Sequence, residues 1–274
     1  ESLAAIGFTS SFAPDFFKLA DAIADARANS LILVPELLRG LLQVWAARGA
    51  APQTLRFAAV GGAKVSPDLL DRASALGVPV FEGYGLSECG SVVALNTPGA
   101  YAQGTVGRPL PHVKLSVASD GEVIVGPSPF LGYVGGAHNG PVHTGDLGAI
   151  DADGFLTLSG RKSNLIVNAH GRNISPEWVE SELCGQPEIA QAIVAGEAQA
   201  SLCALIAPAS TTINAAIISQ AVQRINERMP EYARIDRFRL VPPFTAEQGL
   251  LTSNGRPKRG AILAAYRDFV EQTI

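Results

Sequence analysis

The spacing of apolar residues divides the chain into stretches of different character. From residue 15 to 48, "DFFKLADAIADARANS" and "PELLRGLLQVWAARG" predict two amphipathic helices around the short apolar run "LILV". "LRFAAVGGA" (55–63) reads as a buried strand ending in glycines. "SPDLLDRASAL" (66–76) predicts a helix with Ser66 as N-cap and Pro67 at its first position. "VPVFEGYG" (78–85) is a further strand with a glycine-rich exit. Strand, helix and strand at this spacing make a βαβ unit, whose right-handed crossover implies a parallel sheet. Ligands of such sheets sit beyond the carboxyl ends of the strands, where "GGA" and "EGYGLSE" fall.

From about 105 to 160 the pattern shortens. "VKLSVASDGEVIVG", with its Ser-Asp-Gly turn, precedes "HTGDLGAIDADGFLTLSGR", and together they predict a small antiparallel β subdomain. After Arg161 the pattern changes again. "NLIVNAHGRNI" reads as strand and loop, and "SPEWVESEL" as a helix capped by Ser175 with Pro176 first. "AQAIVAGE" and "LCALIAP" read as paired strands, and "INAAIISQAVQRINERM" as a helix. "RIDRFRLV" is a strand and "KRGAILAAYRDFV" one closing helix. Such a mixture over about 110 residues predicts a second, compact α+β domain joined just after Arg161.

Composition narrows the class of function. The 274 residues are 47% hydrophobic and 17% charged, with a formal charge of −4, an ordinary globular balance. Mild acidity leaves no electrostatic footprint for nucleic acid or an anionic membrane. No apolar run approaches the roughly 20 residues of a membrane span, and no signal-peptide pattern opens the chain. Cys89, Cys184 and Cys203 are widely spaced and fit neither a disulfide framework nor a zinc site, so a reducing cytoplasm is expected.

Two stretches carry chemistry. In "HTGDLGAIDADGFLTLSGRKSN" (143–164), Asp151-Ala152-Asp153-Gly154 is turn chemistry, so Asp146 and Arg161 should lie towards the open end of one hairpin. Opposite charges there form either a surface ion pair of small worth or two groups on one polar ligand. In "FEGYGLSECGSV" (81–92), Gly83 and Gly85 let backbone approach a flat ligand and Tyr84 offers an aromatic face. Glu88 is a hard carboxylate suited to magnesium on a phosphate. Alone, this loop is equally a tight strand exit with a solvated acid.

The order of motifs decides between these readings. "GGA", "EGYGLSE", "GTVGRPLP", "GEVIVGPSPFLGY", "HTGDLGAIDADGFLTLSGR", "HGRNISPEWVE" and "LTSNGRPKR" follow one another at sensible intervals. From about residue 30 onward the chain resembles the adenylate-forming (AMP-binding) superfamily, most nearly an acyl-CoA synthetase. The resemblance implies an α/β plus α+β architecture. Residues 1–161 would be the C-terminal portion of a large domain, with a βαβ part to about 104 and a β subdomain over 105–161. A mobile α+β domain over 162–274 would follow.

The resemblance also implies roles. Tyr84 and Gly83 would carry the adenine, with Gly62 and Gly85 also in the nucleotide site. Ser87 and Glu88 would meet the phosphates and Mg2+. Asp146 would accept from both ribose hydroxyls, and Arg161 would contact ribose and phosphate. His170, Gly171 and Arg172 would form the loop that delivers the thiol of coenzyme A. The implied reaction is ATP-dependent activation of a small carboxylic acid, fatty or aryl, as its adenylate. Transfer to coenzyme A, or to an acyl carrier protein, would follow.

The sequence departs from the family pattern in three places. The glycine-rich phosphate loop of the form TSGTTGxPK is absent, "GFTSSFAP" having neither its glycine spacing nor its lysine. With an opening "ESLAAIGF" that lacks methionine, this predicts the C-terminal half of a longer enzyme, inactive when isolated. Arg256 stands where the family usually has the adenylation lysine, and Lys258 lies two residues on; either is a candidate catalytic cation. Ser163 occupies the hinge position, commonly aspartate or lysine. These departures leave open a degenerate paralogue that binds nucleotide without catalysis.

Overall fold

A computed structural model describes residues 14–126, 130–252 and 255–272. The "GFTSSFA" stretch (7–13), residues 127–129 of "GPSPF" and residues 253–254 of the C-terminal motif lie outside them. The chain forms two compact units, Pro14–Ser163 and the stretch from Asn164 onward.

The first unit opens with α1 (Phe16–Asp25), whose N-cap Asp15 accepts from the backbone of Phe17 and Lys18. Next come β1 (Ser30–Leu33), α2 (Pro35–Arg48), β2 (Phe57–Val60), α3 (Pro67–Ala75) and β3 (Val80–Tyr84). Pro35 and Pro67 each sit in the first turn of a helix, and the Ser66 hydroxyl accepts from Leu69 N at 3.3 Å. The strands β1, β2 and β3 pair in parallel, so "LILV" is a strand of the sheet. Two short strands, β4 (Ala94–Leu95) and β5 (Arg108–Pro109), extend that sheet in antiparallel fashion to residue 109. Ladders of two residues carry no periodicity to read in advance.

A second sheet follows. It consists of β6 (Lys114–Val117) and β7 (Glu122–Gly126), then, after the small hairpin of β8 (Gly132–Tyr133) and β9 (Gly136–Ala137), β10 (Val142–Ile150) and β11 (Leu156–Arg161). Its strand order is β11-β10-β7-β6. Asp151 closes the β10–β11 turn, its Oδ1 accepting from the backbone of Asp153 and Phe155 at 2.9 Å each. Tyr84, Cys89, Val93 and Ala94 from the first sheet region pack with Val123, Val125, Val142 and Leu156 from the second. The segment 105–107 runs between the sheets, Val106 N and Leu156 O bonding at 2.8 Å and Leu156 N and Gly107 O at 2.9 Å.

The second unit starts with the two-residue strands β12 (Ile166–Val167) and β13 (Asn173–Ile174), then α4 (Pro176–Gly185), β14 (Ile189–Ala195) and β15 (Leu202–Pro208). It continues with α5 (Ala215–Asn226), β16 (Ile235–Leu240), α6 (Arg259–Ala265) and α7 (Arg267–Val270). The sheet order is β14-β15-β16, antiparallel then parallel. One face packs Val194, Ala204 and Ile206 on Val179 and Leu183 of α4 and Ile218 and Val222 of α5. The other packs Ile193, Leu205 and Ala207 on Ile262 and Phe269. With both faces covered, the central strand β15 is a nearly continuous apolar run, whereas β16 at the edge carries Asp236, Arg237 and Arg239.

The single closing helix read from the sequence is in fact two, α6 and α7, broken at Tyr266. At Tyr266 the backbone leaves the helical range, with φ −117° and ψ 28°, and beyond it the Arg237 guanidinium holds the end of α7. It donates to the carbonyls of Phe269, Val270 and Gln272 and stacks 4.5 Å from the Phe269 ring, so a strand remote in sequence holds the chain end.

Gly107 gives a direct test of the junction between the sheets. It has φ +85°, and an added Cβ would lie 1.9 Å from the backbone carbon of Leu95. Gly121 has the same φ of +85°, but its nearest neighbour would be Leu147 Cδ2 at 3.8 Å. Gly107→Ala should therefore cost about 3 kcal/mol or more in urea denaturation, and Gly121→Ala only about 1 kcal/mol of backbone strain.

Candidate active site

The site in the first unit rests on an irregularity in β10. Against β7, His143 pairs with Ile124 but Leu147 pairs with Glu122, so the bulged strand Thr144–Asp146 leaves the ladder. Its backbone groups find side chains instead. Gly145, at φ +71°, donates its N–H to Glu122 Oε1 at 2.9 Å. Asp146 donates its N–H to Thr144 Oγ1 at 3.1 Å, and the Thr144 hydroxyl donates to Val123 O at 2.7 Å. Thr-Gly-Asp is thus a turn inside a strand, braced by Glu122 and Val123 of β7.

Two partners meet that carboxylate. Tyr84, at the end of β3, donates its hydroxyl to Asp146 Oδ2 at 2.7 Å. Arg161, whose Cα pairs with that of Asp146 across the hairpin, brings Nε to 3.8 Å from Oδ1. Arg161 also donates from Nη2 to Thr144 O at 3.4 Å. The arginine side chain is 55% exposed and that of Asp146 20%, so this pair faces outward. Burial, and then the bond to Asp146, push the Tyr84 phenol well above its ordinary pKa and fix it as a donor.

Tyr84 is only 9% exposed, its ring sharing a core cluster with Cys89 and Val93. The aromatic face expected from the sequence is therefore largely covered by the protein itself. Cys89 is buried, as a small packing residue would be.

The glycines of "EGYG" have structural duties. A Cβ on Gly85 would fall 1.5 Å from Ser91 O, so its absence admits the turn after β3. A Cβ on Gly83 would meet Leu95 Cδ1 at 2.8 Å. Gly62 lies just past β2 at φ +85°, at the same carboxyl edge of the parallel sheet. Ser87 is exposed and opens a single 3-10 turn, Ser87–Cys89. Glu88, within that turn, accepts from the Tyr133 hydroxyl. That bond, with its own backbone N–H and the field of Arg161, holds the Glu88 carboxyl below the usual range. Tyr84, Glu88, Asp146 and Arg161 thus share one neighbourhood.

Beside Arg161, Lys162 pairs with Asp120 and lies 3.6 Å from Glu122 Oε2. Ser163 sits in the 3-10 turn Lys162–Asn164. The His143 side chain is 63% exposed, its Nδ1 3.5 Å from Glu122 Oε2.

The second unit holds the remaining candidates in two places. His170, Gly171 and Arg172 are exposed on the turn between β12 and β13. The turn is held from below by Asn168, a residue the sequence reading did not single out. Its Oδ1 accepts from His170 N at 3.0 Å and Arg172 N at 2.9 Å. Gly171 has φ +71°, and Arg172 lies 5.9 Å from the ring centre of Tyr232. Arg256 and Lys258 are both exposed, either side of Pro257, which bridges Leu251. Arg256 N donates to Thr252 Oγ1 at 2.9 Å and Lys258 N to Leu250 O at 2.8 Å. Glu122, Thr144 and Asn168 were invisible as site residues because each works through backbone groups that only the folded turn presents.

The chain belongs to the AMP-binding enzyme family. Residues 2–133 match the AMP-binding enzyme family and residues 163–273 its C-terminal domain. It is similar to a long-chain-fatty-acid–CoA ligase of Mycobacterium tuberculosis, FadD15, at 34% identity over 82% of this chain and 43% of that protein. It is also similar to a 2-succinylbenzoate–CoA ligase of Bacillus velezensis, at 32% identity over 64% of this chain and 39% of that one. The chain spans about half the length of the curated relatives it matches. Among solved structures, an anthranilate CoA ligase in complex with anthranoyl-AMP has a TM-score of 0.77 at 21% identity, over 92% of this chain and 52% of that chain. O-succinylbenzoate coenzyme A synthetase from Bacillus subtilis, solved with ATP and magnesium, has a TM-score of 0.71 at 24% identity, over 90% and 54%. These two likenesses concern the mixed α/β fold.

One buried acid adjoins the site. Glu82 on β3 is 6% exposed, and its Oε2 has no hydrogen-bond partner. Burial raises its pKa from 4.5 to about 7, against the Gly104 N–H and Lys64. The folded state therefore holds a proton that the unfolded chain releases, and this contribution to stability is full below about pH 4.5 and lost as pH rises through about 7. Urea denaturation should show wild type losing about 2–3 kcal/mol relative to Glu82→Gln between those limits. Parallel pH profiles for the two proteins would contradict the assignment.

Proposed function

We propose that the protein activates a carboxylic acid with ATP and passes the acyl group to the thiol of coenzyme A. What supports the reading most is the Tyr84–Asp146–Arg161 group beside Glu88 in a chain of the AMP-binding family. The carboxylate oxygen of the substrate attacks the α-phosphorus, pyrophosphate leaves, and an acyl-adenylate forms. The thiol sulfur then attacks the acyl carbon, and AMP leaves.

In this reading Asp146 accepts from the two ribose hydroxyls, since a carboxylate can take a vicinal diol in bidentate fashion. Arg161 provides planar donors to ribose and phosphate oxygens. Tyr84 and Gly83 border the adenine, and Gly62 and Gly85 shape the edge on which the nucleotide lies. Ser87 meets phosphate. Glu88 supplies one ionised carboxylate, and no group of three or more His, Cys, Asp or Glu suited to a metal occurs among the described residues. That suits Mg2+, which commonly takes one or two carboxylates with phosphate oxygens and water. When bound, the ion would offset phosphate charge.

Ser163 serves as the hinge between the units, and Arg256 or Lys258 supplies the cation that steadies the reacting carboxylate and α-phosphate. His170, Gly171 and Arg172 border the path of the thiol, where the glycine leaves room for a narrow arm. The named relatives act on fatty and aryl acids, and a fatty or aryl acid is the proposed substrate class. No helix among the described residues is long and apolar enough to cross a membrane.

Carboxylate-dependent ATP–pyrophosphate exchange by the whole gene product that carries this chain, with a panel of fatty, aryl and amino acids, tests the proposal. Exchange is expected with a fatty or aryl acid. Either Lys258→Ala or Arg256→Ala should lower it by about 10²–10³-fold and so identify the cation. Nucleotide binding without exchange for any acid would favour a non-catalytic paralogue, and exchange followed by acyl transfer only to a carrier protein would correct the acceptor.

A further inference from the structure

We propose that Glu180 and Arg259 form a clasp that positions the Arg256–Lys258 segment for adenylation, an inference that rests on the reading of that segment as the source of the catalytic cation. Lys258 is the N-cap residue of α6 and Arg259 its first residue. Their side chains have opposite fates. Lys258 is exposed, whereas the Arg259 side chain is only 19% exposed and turns to the sheet. Its Nη1 donates to Val194 O on β14 at 2.8 Å, and its Nη2 donates to Glu180 Oε1 on α4. The same Oε1 accepts from Val194 N at 2.7 Å. One carboxylate oxygen, one guanidinium and both backbone groups of Val194 thus close a ring next to the candidate cation.

The ring has the features of a positioning device. The Glu180 side chain is 13% exposed. Burial raises its pKa, while Arg259 and the Val194 N–H pull the other way. A buried pair of this kind is weak evidence for stability, because desolvation offsets much of the attraction, but it tolerates little displacement. On the other side of Lys258, its own N–H reaches Leu250 O at 2.8 Å, and Pro257 bridges Leu251. The backbone is fixed before and after the exposed cations, so their long side chains start from a set direction. Glu180 also belongs to the helix that Ser175 starts, directly after the His170–Arg172 turn and β13. The helix thus follows the turn assigned to the thiol in sequence, while its Glu180 carboxylate bonds Arg259, the residue next to the Arg256–Lys258 segment.

The test separates the half-reactions in the whole gene product that carries this chain. Glu180→Ala and Arg259→Ala should each lower carboxylate-dependent ATP–pyrophosphate exchange by about tenfold to hundredfold, the usual cost of a small misplacement. Thioester formation from preformed acyl-adenylate should stay within about twofold, because the His170–Arg172 turn keeps its own Asn168 support. Glu180→Gln, which retains the Oε1 acceptor, should recover most of the exchange and serves if Glu180→Ala does not fold. In a Lys258→Ala or Arg256→Ala background, whichever abolishes exchange, Glu180→Ala should cost little more. Equal losses in both half-reactions, no recovery by Glu180→Gln, or full additivity with the cation variant would overturn the clasp as a positioning device. If neither cation variant affects exchange, the reading of the segment fails instead.

Discussion

The hydrogen bond from Tyr84 to Asp146 is the constraint on which the first unit turns. Tyr84 ends a strand of the parallel sheet, and Asp146 rides a bulge in the antiparallel one. A buried phenol left without an acceptor would carry a desolvation cost, so the contact fixes the two sheet edges against each other. It also commits one carboxylate oxygen of Asp146 to the protein and leaves Oδ1 towards Arg161 and solvent. Glu122 makes this possible from behind. By accepting the Gly145 N–H it satisfies a backbone donor that the bulge removes from the ladder, and by approaching Lys162 it ties the same loop to the last residues before Ser163.

The second unit solves a different problem. Its sheet is apolar on both faces, which leaves few polar groups inside to set the direction of surface loops. The exceptions do that work. Asn168 gathers the backbone of the His170–Arg172 turn, Arg237 gathers the terminal carbonyls, and Glu180 with Arg259 fixes the start of α6. The Asn168 contact is local, two to four residues along the chain, whereas those of Arg237 and of Glu180 with Arg259 join segments remote in sequence.

Much of this was legible in the sequence, for identifiable reasons. The βαβ unit showed because strand and helix periods alternate cleanly between 55 and 85, with Ser66 and Pro67 marking a helix start. Asp146 and Arg161 could be placed opposite one another because Asp151-Ala152-Asp153-Gly154 fixes a hairpin, and the strands pair these two residues. The bulge at Thr144–Asp146 was not legible, since its support comes from Glu122 on another strand. Nor was the break at Tyr266, because the apolar spacing of the segment runs on unbroken across it. The short strands β4 and β5 escaped notice because two residues hold no period. The protonation of Glu82 depends on burial that a lone acid between Phe81 and Gly83 does not announce. The roles proposed for these residues rest on the family resemblance, and their supporting neighbours became visible only in the fold.

The claim at the centre is that Asp146, held by Tyr84 and opposed by Arg161, grips a ribose diol. Calorimetric titration of the whole gene product that carries this chain with AMP and with 2′,3′-dideoxy-AMP tests it directly. Wild type should bind AMP at least about tenfold more tightly, as expected for hydrogen bonds to a charged acceptor, and Asp146→Ala should bind both nucleotides alike. Equal affinity of wild type for the two nucleotides, or a preference for AMP that survives in Asp146→Ala, would contradict the account.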